Sequence, residues 1–302
     1  MSEPEGRGAA WTEERGTSDE GRRRLKAPRR RAENTVPAPE PLPADALDSH
    51  CHLDLMERPA EEVIAAAQAA GIRRIITVGV DLPSSRWSAE CAAGSQDVYA
   101  AVAIHPNETA SAASSPADRD AVLAEISTLA ALPQVRAIGE TGLDYYRDHA
   151  RPEVQRDWFR AHIAIAKQAG KALMIHDRDA HDDVLRILEE EEPPEKVVFH
   201  CFSGDVAMAK RCAEAGYVMS FAGNVTFKNA QPLRDAAEAV PAEAILVETD
   251  APFLTPMPYR GKPNSPAMAA HTLRCLAEVK QIDTALLCQL VTATGERVFG
   301  PW

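Results

Sequence analysis

The chain of 302 residues holds nine histidines. Two of them, His50 and His52, stand one residue apart in "ALDSHCHLDL" (46–55). In an extended strand, residues i and i+2 face the same side, so both imidazoles would point one way with Cys51 turned away between them. That is a geometry for holding a cation. Groups of the same chemistry close later apolar runs: Glu140 in "VRAIGETGLD" (135–144), His176 in "ALMIHD" (172–177), His200 in "KVVFHCFSG" (196–204) and Asp250 in "AILVETDAP" (244–252). Any one of these could be a core histidine or a helix cap, but together they form a ligand set. Four histidines and two carboxylates exceed a single catalytic zinc site, which keeps three protein ligands plus water. They suit two divalent ions, with a carboxylate bridging ions about 3.5–4 Å apart so that both stabilise an in-line displacement. Imidazole with carboxylate fits Zn²⁺ or Mn²⁺ well and Mg²⁺ less well.

Such scattered residues meet only if the elements carrying them converge. From residue 46 onward, short runs rich in Val, Ile and Ala alternate with longer segments of helical period. Besides the runs quoted above, "RRIITVGV" (73–80), "VYAAVAIHP" (98–106) and "YVMSFAG" (217–223) bring the count of strand candidates to eight. The helical segments are punctuated by Pro at the start and Gly at the end, as in "RPAEEVIAAAQAAG", which stops at Gly71, and "RPEVQRDWFRAHIAIAKQAG" (151–170). Strands alternating with helices imply right-handed βαβ units and a parallel sheet. Eight such units over this length predict an α/β protein of the (β/α)8 TIM-barrel type, with the metal site at the C-terminal ends of the strands. A dinucleotide-binding open sheet is disfavoured, because no G-x-G-x-x-G follows the first run.

Composition sets outer bounds. Hydrophobic content of 45% and charged content of 26% are ordinary for a soluble globular protein. A net charge of −12 argues against gripping nucleic acid by bulk electrostatics, although metal ions can supply positive charge locally. The six cysteines are scattered without a C-x-x-C pair, and neither a secretory signal nor a membrane span is legible. Reduced thiols in the cytoplasm are the expectation. A monomer is the default, since nothing in the sequence fixes an oligomeric state. Residues 1–43 carry nine Lys/Arg, eight Asp/Glu and five prolines between Pro28 and Pro43. They read as a disordered Arg/Pro-rich tail ahead of a single barrel domain over 44–302. Within the tail, "RRRLKAPRRR" (22–31) could contact nucleic acid but reads more simply as a solvated run.

The segments "DSHCHLD", "IGETGLDYYRD", "FHCFSG" and "VETDAPFLTP" resemble the signature segments of the TatD family of metal-dependent deoxyribonucleases, within the amidohydrolase-like metallohydrolases. The resemblance runs in order from about residue 46 to 302 and leaves out the tail. It implies one metal on His50, His52, Glu140 and Asp250, and a second on His176 and His200 with Glu140 bridging. All six positions hold the expected residue types. It also implies 3′-to-5′ exonuclease action on DNA, single-stranded or at 3′ ends, and perhaps RNA. A metal-activated water would be the nucleophile, with Asp250 as general base. The same two-metal scaffold could instead hydrolyse another ester or amide, such as an aminoacyl-tRNA. A non-enzymatic quality-control protein keeping the fold is a third reading, against which the complete ligand set counts.

Several further residues carry weaker signals. His105, in "AIHPN", should face the same mouth and could touch substrate or make a structural hydrogen bond. The family usually shows G-x-H-P-H there, where this chain has Ala103 and Asn107. Arg178 could clamp a phosphate or pair with Asp177 or Asp179. Tyr145 and Tyr146 could stack on a base but read more simply as packing, and Arg260 and Lys262 could reach a DNA backbone. His181 is expected to be structural, in a helix start capped by Asp179 with Asp182 at the third position. His149, His162 and His271 are expected at the surface. Cys201, facing away from its neighbour His200, is rejected as a ligand. The run "EEEEPP" (189–194) opposes a helix dipole, so the helix before it should stop early.

Overall fold

A computed structural model describes residues 36–147 and 149–302. Residues 1–35 of the expected tail, including "RRRLKAPRRR", lie outside the described residues. Residues 36–43 form no helix or strand, and Leu42 is buried, with its N–H bonded to the Ala70 carbonyl at 3.0 Å. Arg274 donates to the carbonyls of Glu40 and Pro41. The packed chain therefore begins slightly before the compositional shift at Ala44.

Eight strands form one sheet in chain order: β1 (Ala46–Cys51), β2 (Ile72–Val78), β3 (Val98–Val102), β4 (Val135–Asp144), β5 (Ala172–Arg178), β6 (Val197–Phe199), β7 (Val218–Phe221) and β8 (Ile245–Val247). Every neighbouring pair is parallel. Beyond β8, a parallel bridge between Cys51 and Ala251 brings the ring round to β1. Two backbone bonds flank it, His52 N–H to Ala251 O at 2.8 Å and Asp250 N–H to His50 O at 2.9 Å. This is the (β/α)8 barrel that the alternating pattern predicts. The strands read as near-continuous apolar runs because they are buried on both faces, and β1, β4 and β6 to β8 contain no exposed residue.

Nine helices are described: α1 (Ala60–Ala69), α2 (Leu82–Ala93), α3 (Pro116–Ala130), α4 (Pro152–Ala169), α5 (His181–Glu191), α6 (Val206–Glu214), α7 (Gln231–Ala239), α8 (Ala269–Lys280) and α9 (Thr284–Phe299). Their starts follow local chemistry. Asp81 and Ser84 make a reciprocal capping box on α2, while Ser115 and Asp205 cap α3 and α6. Helix α4 begins at Pro152 and ends on Gly170 in the left-handed conformation (φ 62°). Helix α5 departs from expectation at both ends. Its N-cap is Ala180, without a side-chain cap, and Asp179 sits outside at φ 55°. It also runs through the acidic stretch to Glu191, because Arg211, Arg160 and Arg186 pair with Glu189, Glu190 and Glu191 and offset the dipole penalty.

At the opposite end of the barrel from the strand C-termini, the chain terminus is clamped. Trp302 stacks on Tyr99 at 4.0 Å, Arg136 lies over the Tyr99 ring at 4.2 Å, and Tyr99 Oη donates to the Pro301 carbonyl. These rings fasten α9 and the last residues of the chain to the starts of β3 and β4.

His162 corrects the surface expectation: it is fully buried within α4. The Ile104 N–H donates to its Nε2 at 3.4 Å, which leaves the proton on Nδ1 to be donated to Thr141 Oγ1 at 2.8 Å. A mid-helix histidine offers no sequence sign of this, because its partners come from β4 and the end of β3. Burial, helped by the charge of Arg119, lowers its pKa from 6.5 to about 3. The fold thus keeps the ring neutral where the unfolded chain would bind a proton. Its contribution is complete above pH 6.5 and is lost as pH falls from there toward 3. In calorimetric melts from pH 8 to 4, His162→Gln should lower Tm at pH 8 yet show a shallower acid decline than the wild type, by up to about 1.4 kcal/mol per pH unit. Parallel declines in both proteins would show that His162 is already charged in the fold.

Candidate metal centre

The closing of the ring determines which side chains meet. The bonds His52 N–H to Ala251 O and Asp250 N–H to His50 O hold the end of β1 beside the chain leaving β8. Asp250 itself adopts φ 52°, a left-handed conformation that Asp tolerates better than most residues. Across the barrel, β4 carries Glu140 and runs alongside β5, with Gly142 opposite His176. Gly142 has φ 132°, and a Cβ there would come 2.1 Å from the His176 carbonyl oxygen. Only glycine lets β4 pass the histidine at that spacing.

Four ligand-type atoms converge on the β1 side. His50 Nε2 lies 3.3 Å from His52 Nε2, and each faces Glu140 Oε1, at 3.8 and 3.6 Å, and Asp250 Oδ1, at 3.8 and 3.5 Å. Donors about 2.0–2.2 Å from one tetrahedral ion stand roughly 3.3–3.6 Å from each other. The spacings of the two imidazoles to each other and to each carboxylate fit an ion held by His50 and His52. On the other side, Glu140 Oε2 lies 2.8 Å from His200 Nε2 and 3.4 Å from His176 Nδ1, and those two nitrogens are 3.4 Å apart. Glu140 therefore turns one oxygen to each group. All six side chains expected from the sequence are brought together. His50, His52, Glu140 and His200 are buried, whereas His176 and Asp250 keep 16% and 15% of their side chains exposed and mark the open side.

Each imidazole has one nitrogen occupied outside the cluster, so that the other faces its centre. His52 Nδ1–H donates to the Val78 carbonyl at 3.0 Å, His200 Nδ1–H to Glu248 at 3.2 Å, and His176 Nε2–H to Asp144 at 3.2 Å. His50 Nδ1 rests 3.1 Å from the Met174 sulfur. Such outer hydrogen bonds fix tautomer and ring orientation at metal sites. Asp144 does more, accepting from Asn107 Nδ2 and from the N–H groups of Tyr146 and Arg147. Asp48 accepts from the Thr249 N–H and hydroxyl, tying β1 to the segment that carries Asp250. Sequence reading passed over Asp144, Glu248 and Asp48. The signal was present, since each is a carboxylate inside an otherwise apolar strand end, in the same quoted segments as the candidate ligands.

The field of the cluster favours positive charge. Burial disfavours protonated His52, but its hydrogen bond to Asp250 and the charges of Glu140 and Asp250 outweigh that and raise its pKa to about 9. His200 and His176 are also raised against burial, by Glu140 with Glu248 and with Asp144 respectively. His50 goes the other way, pushed down by burial and by the neighbouring His200. Burial would raise Glu140, yet the surrounding histidines, His200 first, hold it well below the carboxylate range. Buried imidazoles that hold protons against desolvation mark a site short of cationic charge, and the donor chemistry fits divalent ions.

His105 is also at the mouth, with Nε2 3.9 Å from Glu140 Oε2. Its Nδ1 accepts the Asn107 N–H at 3.0 Å, so Nε2 carries the proton and points inward as a donor. Arg178 pairs with neither Asp177 nor Asp179 among the described residues; its guanidinium lies 4.0 Å over the exposed Tyr146 ring. Tyr145 is half-buried and donates to Asp183. His181 is structural, bonded through Nδ1 to Asp177 at 2.8 Å. Cys201 follows the end of β6 at φ 42°, where strand alternation no longer applies, and its sulfur lies 3.9 Å from Asn224 Nδ2. A cleft of about 1000 Å³ between the starts of α3 and α4, lined by Thr109, Arg119, Arg151 and Trp158, touches none of the six.

Comparison with known proteins agrees with this arrangement. Residues 47–300 match the family model described as TatD related DNase. The uncharacterized metal-dependent hydrolase TatD of Mycobacterium tuberculosis is 43% identical over 263 residues, covering 84% of this chain and 97% of that protein. The uncharacterized metal-dependent hydrolase YabD of Bacillus subtilis is 38% identical, covering 83% and 98%. Among solved structures, the TatD homologue YJJV of Escherichia coli superposes with a TM-score of 0.78 at 27% identity, covering 85% of this chain and 98% of that one.

If Glu248 orients His200, Glu248→Gln should weaken Zn²⁺ or Mn²⁺ binding about 10- to 100-fold. Isothermal titration of the chelator-stripped protein measures this. An affinity equal to the wild type would show that the His200–Glu248 bond does not act on the cluster.

Proposed function

The chain belongs to the TatD family of metal-dependent hydrolases, and from that premise we propose that it is a 3′-to-5′ exodeoxyribonuclease acting on single-stranded DNA and 3′ ends. The observation that carries the reading is the division of Glu140 between two sets of donors, Oε1 toward His50 and His52, and Oε2 toward His176 and His200. A carboxylate shared in this way suits a pair of divalent ions clamping a phosphodiester. In the proposal one ion takes His50, His52, Glu140 and Asp250, and the other His176, His200 and Glu140. The histidine-rich donors favour Zn²⁺ or Mn²⁺ over Mg²⁺. Six unpaired cysteines suit a reducing, cytoplasmic setting, and no described helix is long and apolar enough to cross a membrane.

When bound, the ions would withdraw charge from the phosphoryl oxygens and lower the pKa of a water. The protein's own groups supply the rest. Asp250 turns Oδ1 toward His50 and His52, and its second oxygen makes no hydrogen bond among the described residues. That oxygen can take a proton from an attacking water at the open side, which is the general-base role. His105 is fixed as an Nε2–H donor by the Asn107 N–H and can donate to a phosphoryl oxygen without changing its protonation. Arg178, stacked on Tyr146, keeps its fork available for a phosphate.

The test is release of mononucleotides from single-stranded DNA by chelator-treated protein, with Mg²⁺, Mn²⁺ or Zn²⁺ restored. Metal-dependent release from the 3′ end is expected, with His50→Ala and Asp250→Ala each slower by at least about a hundredfold. Protein that binds metal but leaves DNA intact would remove the nuclease reading and direct attention to other esters, such as aminoacyl-tRNA.

A further inference from the structure

Four large hydrophobic side chains are exposed among the described residues: Leu55, Tyr146, Phe253 and Leu286. Leu55, Tyr146 and Phe253 lie on loops that follow strands β1, β4 and β8 at the mouth of the barrel. Phe253 stands three residues beyond Asp250, is 54% exposed, and has its ring centroid 6.1 Å from that of His52 at an interplanar angle of 70°. Exposing a phenyl ring forgoes the free energy of burying it, and this one is not loose. Its N–H donates to the Asp250 carbonyl at 2.8 Å. The buried Asn264 amide donates to its carbonyl and to that of Thr249. The next residue, Leu254, presses its carbonyl against Gly223, where a Cβ would come within 2.1 Å. The backbone is anchored at several points while the ring faces solvent beside the cluster.

We infer that Phe253 is the stacking platform for the 3′-terminal base of the substrate, an assignment that rests on the nuclease reading above. Every base has a π-face, so an aromatic platform accepts any terminal base but requires that it be free of its own partner. The residue would thus select unpaired ends, with the scissile phosphate falling over the adjoining cluster. Tyr146 is the other exposed aromatic ring at the mouth, but the Arg178 guanidinium covers one of its faces. Phe253 carries no such cation among the described residues.

The experiment compares kcat/KM for two single-stranded oligonucleotides, one ending in an ordinary 3′ nucleotide and one ending in an abasic residue. Wild type should favour the ordinary end about 5- to 150-fold. Phe253→Ala should bring that ratio close to one, and Phe253→Trp should keep it. Because each ratio is taken within one protein, partial misfolding of a variant cancels. A second readout needs no turnover: in chelator, a 3′-terminal 2-aminopurine should be quenched on binding wild type and not on binding Phe253→Ala. A wild-type ratio near one, or a ratio that survives in Phe253→Ala, overturns the stacking role while leaving the nuclease intact. If wild type cleaves methyl p-nitrophenyl phosphate with metal yet neither oligonucleotide, the nuclease reading itself falls, and the stacking role falls with it.

Discussion

A ring of eight parallel strands has to be joined where its first strand meets its last, and in this chain the joint is made of the residues that face the cluster. The backbone bonds between His52 and Ala251 and between Asp250 and His50 do two things at once. They satisfy peptide groups that an open edge would leave unpaired. They also place two imidazoles and a carboxylate from opposite ends of the sequence within 4 Å of each other. Asp48 strengthens the joint with two bonds to Thr249. A loosened joint would therefore disturb the site before it disturbed the core, which is spread along all eight strands.

The cost of this arrangement is a set of buried polar groups, and the outer hydrogen bonds show how it is met. Glu140 would be strongly disfavoured as a charge in the barrel mouth on its own. The surrounding imidazoles hold it ionised, and they in turn lean on the Val78 carbonyl, Asp144 and Glu248. The result is a connected network in which each histidine has one nitrogen engaged outside the cluster and one turned to its centre. An unsatisfied member of such a network is costly in low dielectric, and Asn107 Oδ1 and Glu248 Oε2 have no hydrogen-bond partner among the described residues. Asn107, standing where the family usually has histidine, is tied in by its other groups: its side-chain amide donates to Asp144 and its N–H fixes the tautomer of His105.

The barrel and the six converging side chains were legible in the sequence because both follow from repetition. Eight apolar runs, five of which end in His, Asp or Glu at the same relative place, have few ways to be positioned other than with those five ends at one mouth. The features that were not legible depend on contacts between distant segments. His162 looks like a helix-surface residue until Thr141 and Ile104 are packed against it. The continuation of α5 through its acidic end depends on Arg160 of α4 and Arg211 of α6, which no local dipole rule includes. Cys201 stands two residues beyond a strand of only three residues, Val197–Phe199, so two-residue alternation has no strand left to act on. Asp144 and Glu248 are a different case, visible in the motifs but overshadowed by their neighbours.

Charge placement gives the mouth a character that the net charge hides. The protein carries −12 overall, which should repel a polyanion at a distance. On the barrel wall, arginines such as Arg73, Arg86, Arg156 and Arg211 are each paired with a carboxylate, and exposed pairs of this kind add little stability. Their effect is to cancel positive charge where it has no use. At the mouth, Arg178 lies over Tyr146 and Arg260 over Phe227, at 4.0 and 4.2 Å, and neither has a carboxylate within ion-pairing distance among the described residues. Stacking holds each guanidinium in place without consuming its hydrogen-bonding fork. Two guanidinium forks are thereby left available at the strand ends, beside a cluster whose carboxylates hold protons on His52, His176 and His200. With cations bound there, an anionic substrate would be drawn to the mouth rather than to the wall, an effect that is strongest at low ionic strength and fades as the Debye length shrinks.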